Sequence, residues 1–184
     1  MSNNHGSNAG WRHKRPGRFV VVGVSVLLVL VTALALVGCG GNTKQTQQYM
    51  KQGDQLMSQV IESTRQFKVK LPFATGESAG TSGPQSARAQ LQASAQVILK
   101  KAQEANAYYS KIRSFKDVSD YYSYANARMG ELEGYTKMIS RVISIVSSDQ
   151  NYSFSDCLHV MEGYTNVITR LDQEADKIKN EKKL

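Results

Sequence analysis

The stretch ARAQLQASAQVILKKAQEANAYYSKIR, residues 87–113, decides the fold. Leu91, Ala95, Ile98, Ala102, Ala105, Tyr109 and Ile112 recur in it at alternating steps of four and three. That spacing gathers them on one face of an α-helix and leaves Gln, Lys and Glu on the other. Ser86 offers an N-cap just before the run. Three alanines in the seam leave room for a neighbouring helix to approach closely. An amphipathic helix this long buries its apolar face against other secondary structure, and the chain supplies more of the same kind.

Upstream, Met50, Gly53, Met57, Val60, Thr64 and Phe67 keep the same period and predict a helix from Asn42 or Thr43 to about Phe67. Downstream, Met129, Leu132, Tyr135, Ile139, Val142 and Val146 predict a third helix, capped by Asp117 or Ser119 and ending near Ser147. Cys157, Met161, Tyr164, Ile168, Leu171, Ala175 and Ile178 predict a fourth, capped by Ser153 or Ser155 and fraying in its Lys-rich tail. Residues 114–116 and 148–151 read as short turns. Residues 68–85 hold Pro72, Gly76, Gly80, Gly83 and Pro84 and read as a flexible connection, or as an extended lid packed through Val69, Leu71 and Phe73. Four amphipathic helices joined mainly by short turns predict an all-α protein, an antiparallel four-helix bundle over residues 43–184.

The third and fourth helices share a segment. Glu133-Gly134-Tyr135-Thr136-Lys137-Met138-Ile139-Ser140-Arg141 matches Glu162-Gly163-Tyr164-Thr165-Asn166-Val167-Ile168-Thr169-Arg170 at six positions. A shared Glu-Gly-Tyr-Thr exceeds what a helix pattern demands and points to duplication. Each glycine costs about 1 kcal/mol inside a helix, so both are expected to allow close backbone contact.

The N-terminus gives an address. A basic leader with Arg12, Lys14, Arg15 and Arg18 precedes an apolar run from Phe19 to Val37. This is the pattern of an export signal over residues 1–38, with a basic region 1–18 and an apolar region 19–37. Leu36-Val37-Gly38-Cys39 resembles the lipobox of bacterial lipoproteins. The resemblance implies cleavage before Cys39, a diacylglyceryl group on its thiol, and a tether over residues 39–42. The alternative is a retained anchor: residues 19–37 would span about 28 Å as a helix, near the thickness of a bilayer core. Either way the positive-inside bias leaves residues 40–184 on the extracytoplasmic face of the cell membrane. Arg15 and Arg18 are not adjacent, which argues against twin-arginine export. The segments Gln48-Tyr49-Met50-Lys51-Gln52-Gly53-Asp54 and Val118-Ser119-Asp120-Tyr121-Tyr122-Ser123-Tyr124-Ala125 resemble segments of a group of uncharacterised prokaryotic lipoproteins. That resemblance implies the same address and an all-helical extracytoplasmic domain, with no activity attached.

Composition excludes several classes. Of the 184 residues, 23 are basic and 15 acidic, giving a net charge of +8. Four of the basic residues and none of the acidic ones lie in the leader, so the rest carries 19 against 15, or +4. That surplus is spread along helices, which does not suit a nucleic-acid binder. The two cysteines are Cys39 and Cys157; lipidation of the first leaves no partner for a disulfide, and the second reads as a small buried side chain. His159 is the one histidine after the leader. It cannot share a metal with Cys157, which faces another side of the helix, and His159 with Glu162 makes a single, reversed version of a di-iron pair. The methionines sit in the seams, where they fill a core rather than ligate haem. There is no nucleophile–base arrangement and no phosphate loop, so no enzyme, metal or cofactor is expected.

The tether sets the geometry. Gly40, Gly41 and Asn42 reach only about 10 Å when extended, so the start of the first helix lies close to the bilayer. An up-down-up-down order then brings Lys111, Arg113 and Lys116 to the same end, with Tyr121 and Tyr122. The C-terminal Lys177, Lys179, Lys182 and Lys183 join them. Basic residues mixed with aromatics suit a membrane interface. The partners expected are membrane lipid through Cys39 and an envelope protein, with the oligomeric state open. A carrier or sensor holding a small ligand in a Tyr- and Met-lined interior is the second class. Trp11 is the only tryptophan and lies in the leader. Protein purified from membranes after cleavage before Cys39 will therefore emit tyrosine fluorescence alone, and a retained leader will show the indole band.

Overall fold

The computed structural model describes residues 41–76, 84–115, 118–148 and 153–184. Among them are four helices and no strand: α1 Gly41–Ala74, α2 Pro84–Arg113, α3 Ser119–Ser147 and α4 Phe154–Lys182. The helices pack on one another as a bundle, mainly through the consecutive pairs α1/α2, α2/α3 and α3/α4, with sparser contacts of α1 to α3 and α4. Consecutive helices run antiparallel. Gln92 near the start of α2 bonds Ser147 at the end of α3 (3.0 Å), and Lys179 near the end of α4 reaches Asp54 in the early turns of α1 (2.9 Å).

The seams read from the sequence form the core. All six positions of the first and all seven of the second are buried. In α3, Leu132, Ile139, Val142 and Val146 are buried while Met129 and Tyr135 are half-buried. In α4, Cys157, Met161, Ile168 and Ala175 are buried and Tyr164, Leu171 and Ile178 are half-buried. These half-buried positions lie at the edges of the apolar stripes of α3 and α4.

The connection expected over residues 68–85 is corrected. α1 continues through Pro72 to Ala74, and α2 already starts at Pro84. The helical seam prevails over the turn residues: Phe67, Leu71 and Ala74 follow one another at steps of four and three and are all fully buried. The alternating reading fails with it, since Val69 and Phe73 point outward. Pro72 lacks only the N–H for the carbonyl of Lys68, a loss tolerated near the end of a helix whose last turn is buried. Thr75 then closes the end, its N–H bonding the Leu71 carbonyl at 3.0 Å. Residues 77–83 lie outside the described residues.

The helix ends show which caps form. Ser153 caps α4 in a full capping box with Asp156. Hydrogen bonds from the Ser153 backbone and side chain hold the Asp156 carboxyl below its ordinary range. α3 is flanked by Val118 with no side-chain cap. α4 does not fray in its basic tail: it runs to Lys182, and Lys183 closes it in the left-handed conformation at φ 53°. Lys179 and Lys182 in the last turn favour the negative end of the helix dipole.

The glycines of the duplicated segment are not equivalent. A Cβ on Gly134 would lie 2.8 Å from Cγ1 of Ile168, so α3 and α4 meet there at a distance that only glycine allows. A Cβ on Gly163 would meet nothing within 4 Å. Of the two close contacts expected, one exists. Gly134→Ala will lower stability by about 1–3 kcal/mol through overpacking. Gly163→Ala will raise it by about 0.5–1 kcal/mol through helix propensity. Paired urea denaturation curves measure both.

Candidate functional site

A chain of polar contacts crosses all four helices near the end where α1 begins. It starts at Gly53 on α1, where a Cβ would stand 2.7 Å from two ring carbons of Tyr109. The absent side chain lets the Tyr109 ring pack directly against α1. Its hydroxyl then donates to Asp54 Oδ1 at 2.8 Å. Tyr124, from α3, donates to the same oxygen at 2.5 Å, and Lys179 of α4 donates to Oδ2 at 2.9 Å. Tyr109 and Tyr124 meet edge to face with centroids 6.3 Å apart.

Tyr124 also accepts from Arg128 Nε at 3.1 Å. The Arg128 side chain is only 10% exposed. Its Nη1 donates to Glu131 at 2.8 Å and to Asp172 at 2.6 Å, and its Nη2 donates to Asp176 at 2.8 Å. Spacing puts these groups in place. Tyr124, Arg128 and Glu131 follow at steps of four and three on α3, while Asp172, Asp176 and Lys179 do the same on α4. The guanidinium needs several acceptors to replace the water it has lost, and three carboxylates and a phenol supply them.

The electrostatics follow from burial. Glu131 is 1% exposed, and its carboxyl is pushed up to about 7 by desolvation, against the Arg128 hydrogen bond and with Asp172 and Asp176 nearby. Burial, then the Asp54 charge, raises the Tyr109 and Tyr124 hydroxyls, which keeps both as donors. Tyr135, one turn on from Glu131, is pushed up to about 12, chiefly by burial. With Glu131 ionised, four carboxylates face two cations. A proton on Glu131 near neutrality removes part of that excess.

This cluster holds no nucleophile beside a base. Among the described residues no group of His, Cys, Asp and Glu could hold a metal ion. Cys157 is fully buried, and His159 projects into solvent 3.7 Å from Glu162. The network joins all four helices through groups whose pairing fixes their register.

The basic and aromatic residues expected at one end do gather beside the start of α1. Lys111 stands over the rings of Tyr49 and Tyr108, at 5.2 and 5.0 Å, and Tyr49 stacks on Phe115. Arg113 covers Tyr122 at 5.3 Å. Tyr121 accepts from Gln47 at 3.1 Å, tying α3 to α1. The lysines are less available than the sequence suggests. Lys182 pairs with Asp120 at 3.1 Å, Lys179 points inward to Asp54, and Lys177 approaches Glu181 at 3.8 Å. Lys183 is exposed at the helix stop. Lys116, Cys39 and the cut site Leu36-Val37-Gly38 lie outside the described residues.

Arg128→Met leaves Glu131 buried without its cation and will cost about 3–5 kcal/mol. Glu131→Gln keeps the acceptor and cannot ionise. A carboxyl raised in the folded state stabilises fully below its unfolded value and loses that contribution as pH rises through the folded one. The parent chain will therefore lose up to about 3 kcal/mol between roughly pH 4.5 and 7, and Glu131→Gln will flatten that slope. Chemical denaturation across this range measures both. An unchanged slope in Glu131→Gln would show that another group carries it.

No family model, curated protein or solved structure matches this chain.

Proposed function

We propose that the chain is an extracytoplasmic lipoprotein, anchored in the cell membrane by lipid on Cys39, whose helical bundle is a binding module at the envelope rather than an enzyme. The observation that carries the reading is Leu36-Val37-Gly38-Cys39 at the end of an apolar run, with α1 starting at Gly41. So short a tether holds the Lys111, Tyr49 and Arg113 end of the bundle against the head groups. Cations set over aromatic rings suit that interface. Among the described residues no helix is long and apolar enough to cross a membrane. On this reading attachment rests on the residues before α1.

The carrier reading calls for an interior space. The described core is instead a continuous cluster running from Met50 to Ala175. The cavities are clefts at the seams between helices: about 740 and 410 Å³ along α2 and α3, about 220 Å³ lined by Thr64, Met138 and Met161, and about 190 Å³ beside Asp54 and Lys179.

Intact-mass measurement of protein extracted from membranes tests the anchor. The expected mass is that of a chain beginning at Cys39 and carrying diacylglycerol. Cys39→Ser will abolish both cleavage and lipid. A membrane-held chain beginning at Met1 with no lipid would replace this reading with the retained anchor. A soluble chain beginning at Met1 would overturn both.

A further inference from the structure

The outer face of α2 and α3 carries a groove that the reading above does not use. One part, of about 740 Å³, is bounded by Leu99, Gln103 and Asn106 on α2 and by Asn126, Met129 and Thr136 on α3. A second part, of about 410 Å³, continues it past Gln92, Gln96, Ile143, Ser144 and Ser147. Leu99 and Ser140 line both, so the groove follows the helix pair for most of its length. Ala95, Ala102 and Gly130 keep its floor low.

Its chemistry points to the occupant. Of the eighteen distinct lining residues, only Arg113 and Glu133 are charged, and none is lysine. Both already have partners: Arg113 donates to the Tyr122 hydroxyl at 3.2 Å, and Lys137 pairs with Glu133 at 2.6 Å. The surface is neutral in a chain whose bundle carries a net positive charge. It offers a broken apolar line of Leu99, Met129 and Ile143 between amides and hydroxyls. Amides and hydroxyls donate and accept alike, so a surface built from them complements a copy of itself, which a surface of one charge sign cannot do. Depletion of charge around an apolar line is also the composition of an interface centre.

We infer that the α2/α3 face is the interface of a symmetric dimer, its occupant being the same face of a second copy of this chain. A two-fold axis parallel to the helices sets α2 of one copy beside α3 of the other, antiparallel, as in the bundle itself. It also leaves both chain starts at one end, so two copies tethered to one membrane can pair. The contact itself does not depend on the lipid.

The test is co-purification of two differently tagged full-length copies from detergent extracts, for the parent and for Cys39→Ser. The parent tags are expected to co-purify, and Cys39→Ser to do so equally, even should the anchor reading fail. Ser140→Arg places a charge in the groove from an exposed position. Gln96→Glu with Gln103→Glu does so with nearly the same shape. Each should reduce co-purification by about tenfold or more, because the new charge would be buried in the interface without a partner. Circular dichroism checks that each variant keeps its helices, and the glutamate pair decides if the arginine variant unfolds. Parent tags that fail to co-purify, or folded variants that co-purify as well as the parent, would overturn the dimer. So would capture of a different protein in place of the second tag.

Discussion

A guanidinium taken out of water governs this structure. Arg128 has given up nearly all of its hydration, and such a charge is tolerable only if its N–H groups find acceptors. Tyr124 and Glu131 supply them from its own helix, and Asp172 and Asp176 from α4. Through Tyr124 the demand passes to Asp54 on α1, and from there to Tyr109 on α2 and Lys179 on α4. An apolar seam repeating every three and four residues packs almost as well after a slip of one turn. This network does not, because a slip of about 5 Å would leave a buried cation or carboxylate without a partner.

Small residues decide how closely the helices can approach around that network. Gly53 admits the Tyr109 ring, and Gly134 admits Ile168. Without the first, the Tyr109 hydroxyl could not reach Asp54 and keep the helices at their present spacing. Of the consecutive pairs α2/α3 is the least closely packed, and there the bundle opens into a groove lined mostly by neutral groups.

The helices were legible in the sequence because burial repeats along them. Leu91 to Ile112 are buried without exception, as are Met50 to Phe67. The end of α1 was not legible: Pro72 and the glycines after it read as a break, while Leu71 and Ala74 carried the seam onward. The network escaped for a different reason. Arg128, Glu131 and Asp172 look like a solvated face when each helix is taken alone, and they become interior only when α3 and α4 meet. A signal was present, since Tyr124, Arg128, Glu131 and Tyr135 keep a helical step beside the apolar seam. The gathering of Lys111, Arg113, Tyr121 and Tyr122 at one end followed from chain order alone. The inward turn of Lys179 needed Asp54 to be placed first.

The pairing of Asp54 with Lys179 also bears on the order of assembly. Most contacts join helices adjacent in sequence and close short loops, which makes for rapid zipping of neighbouring helices. The pair at 54 and 179 spans 125 residues and carries a large loop-closure entropy. It can form only when α1 and α4 already stand side by side. A single ion pair therefore acts as the clasp of the bundle, and the seam between the first and last helices is where the closed chain can most readily breathe.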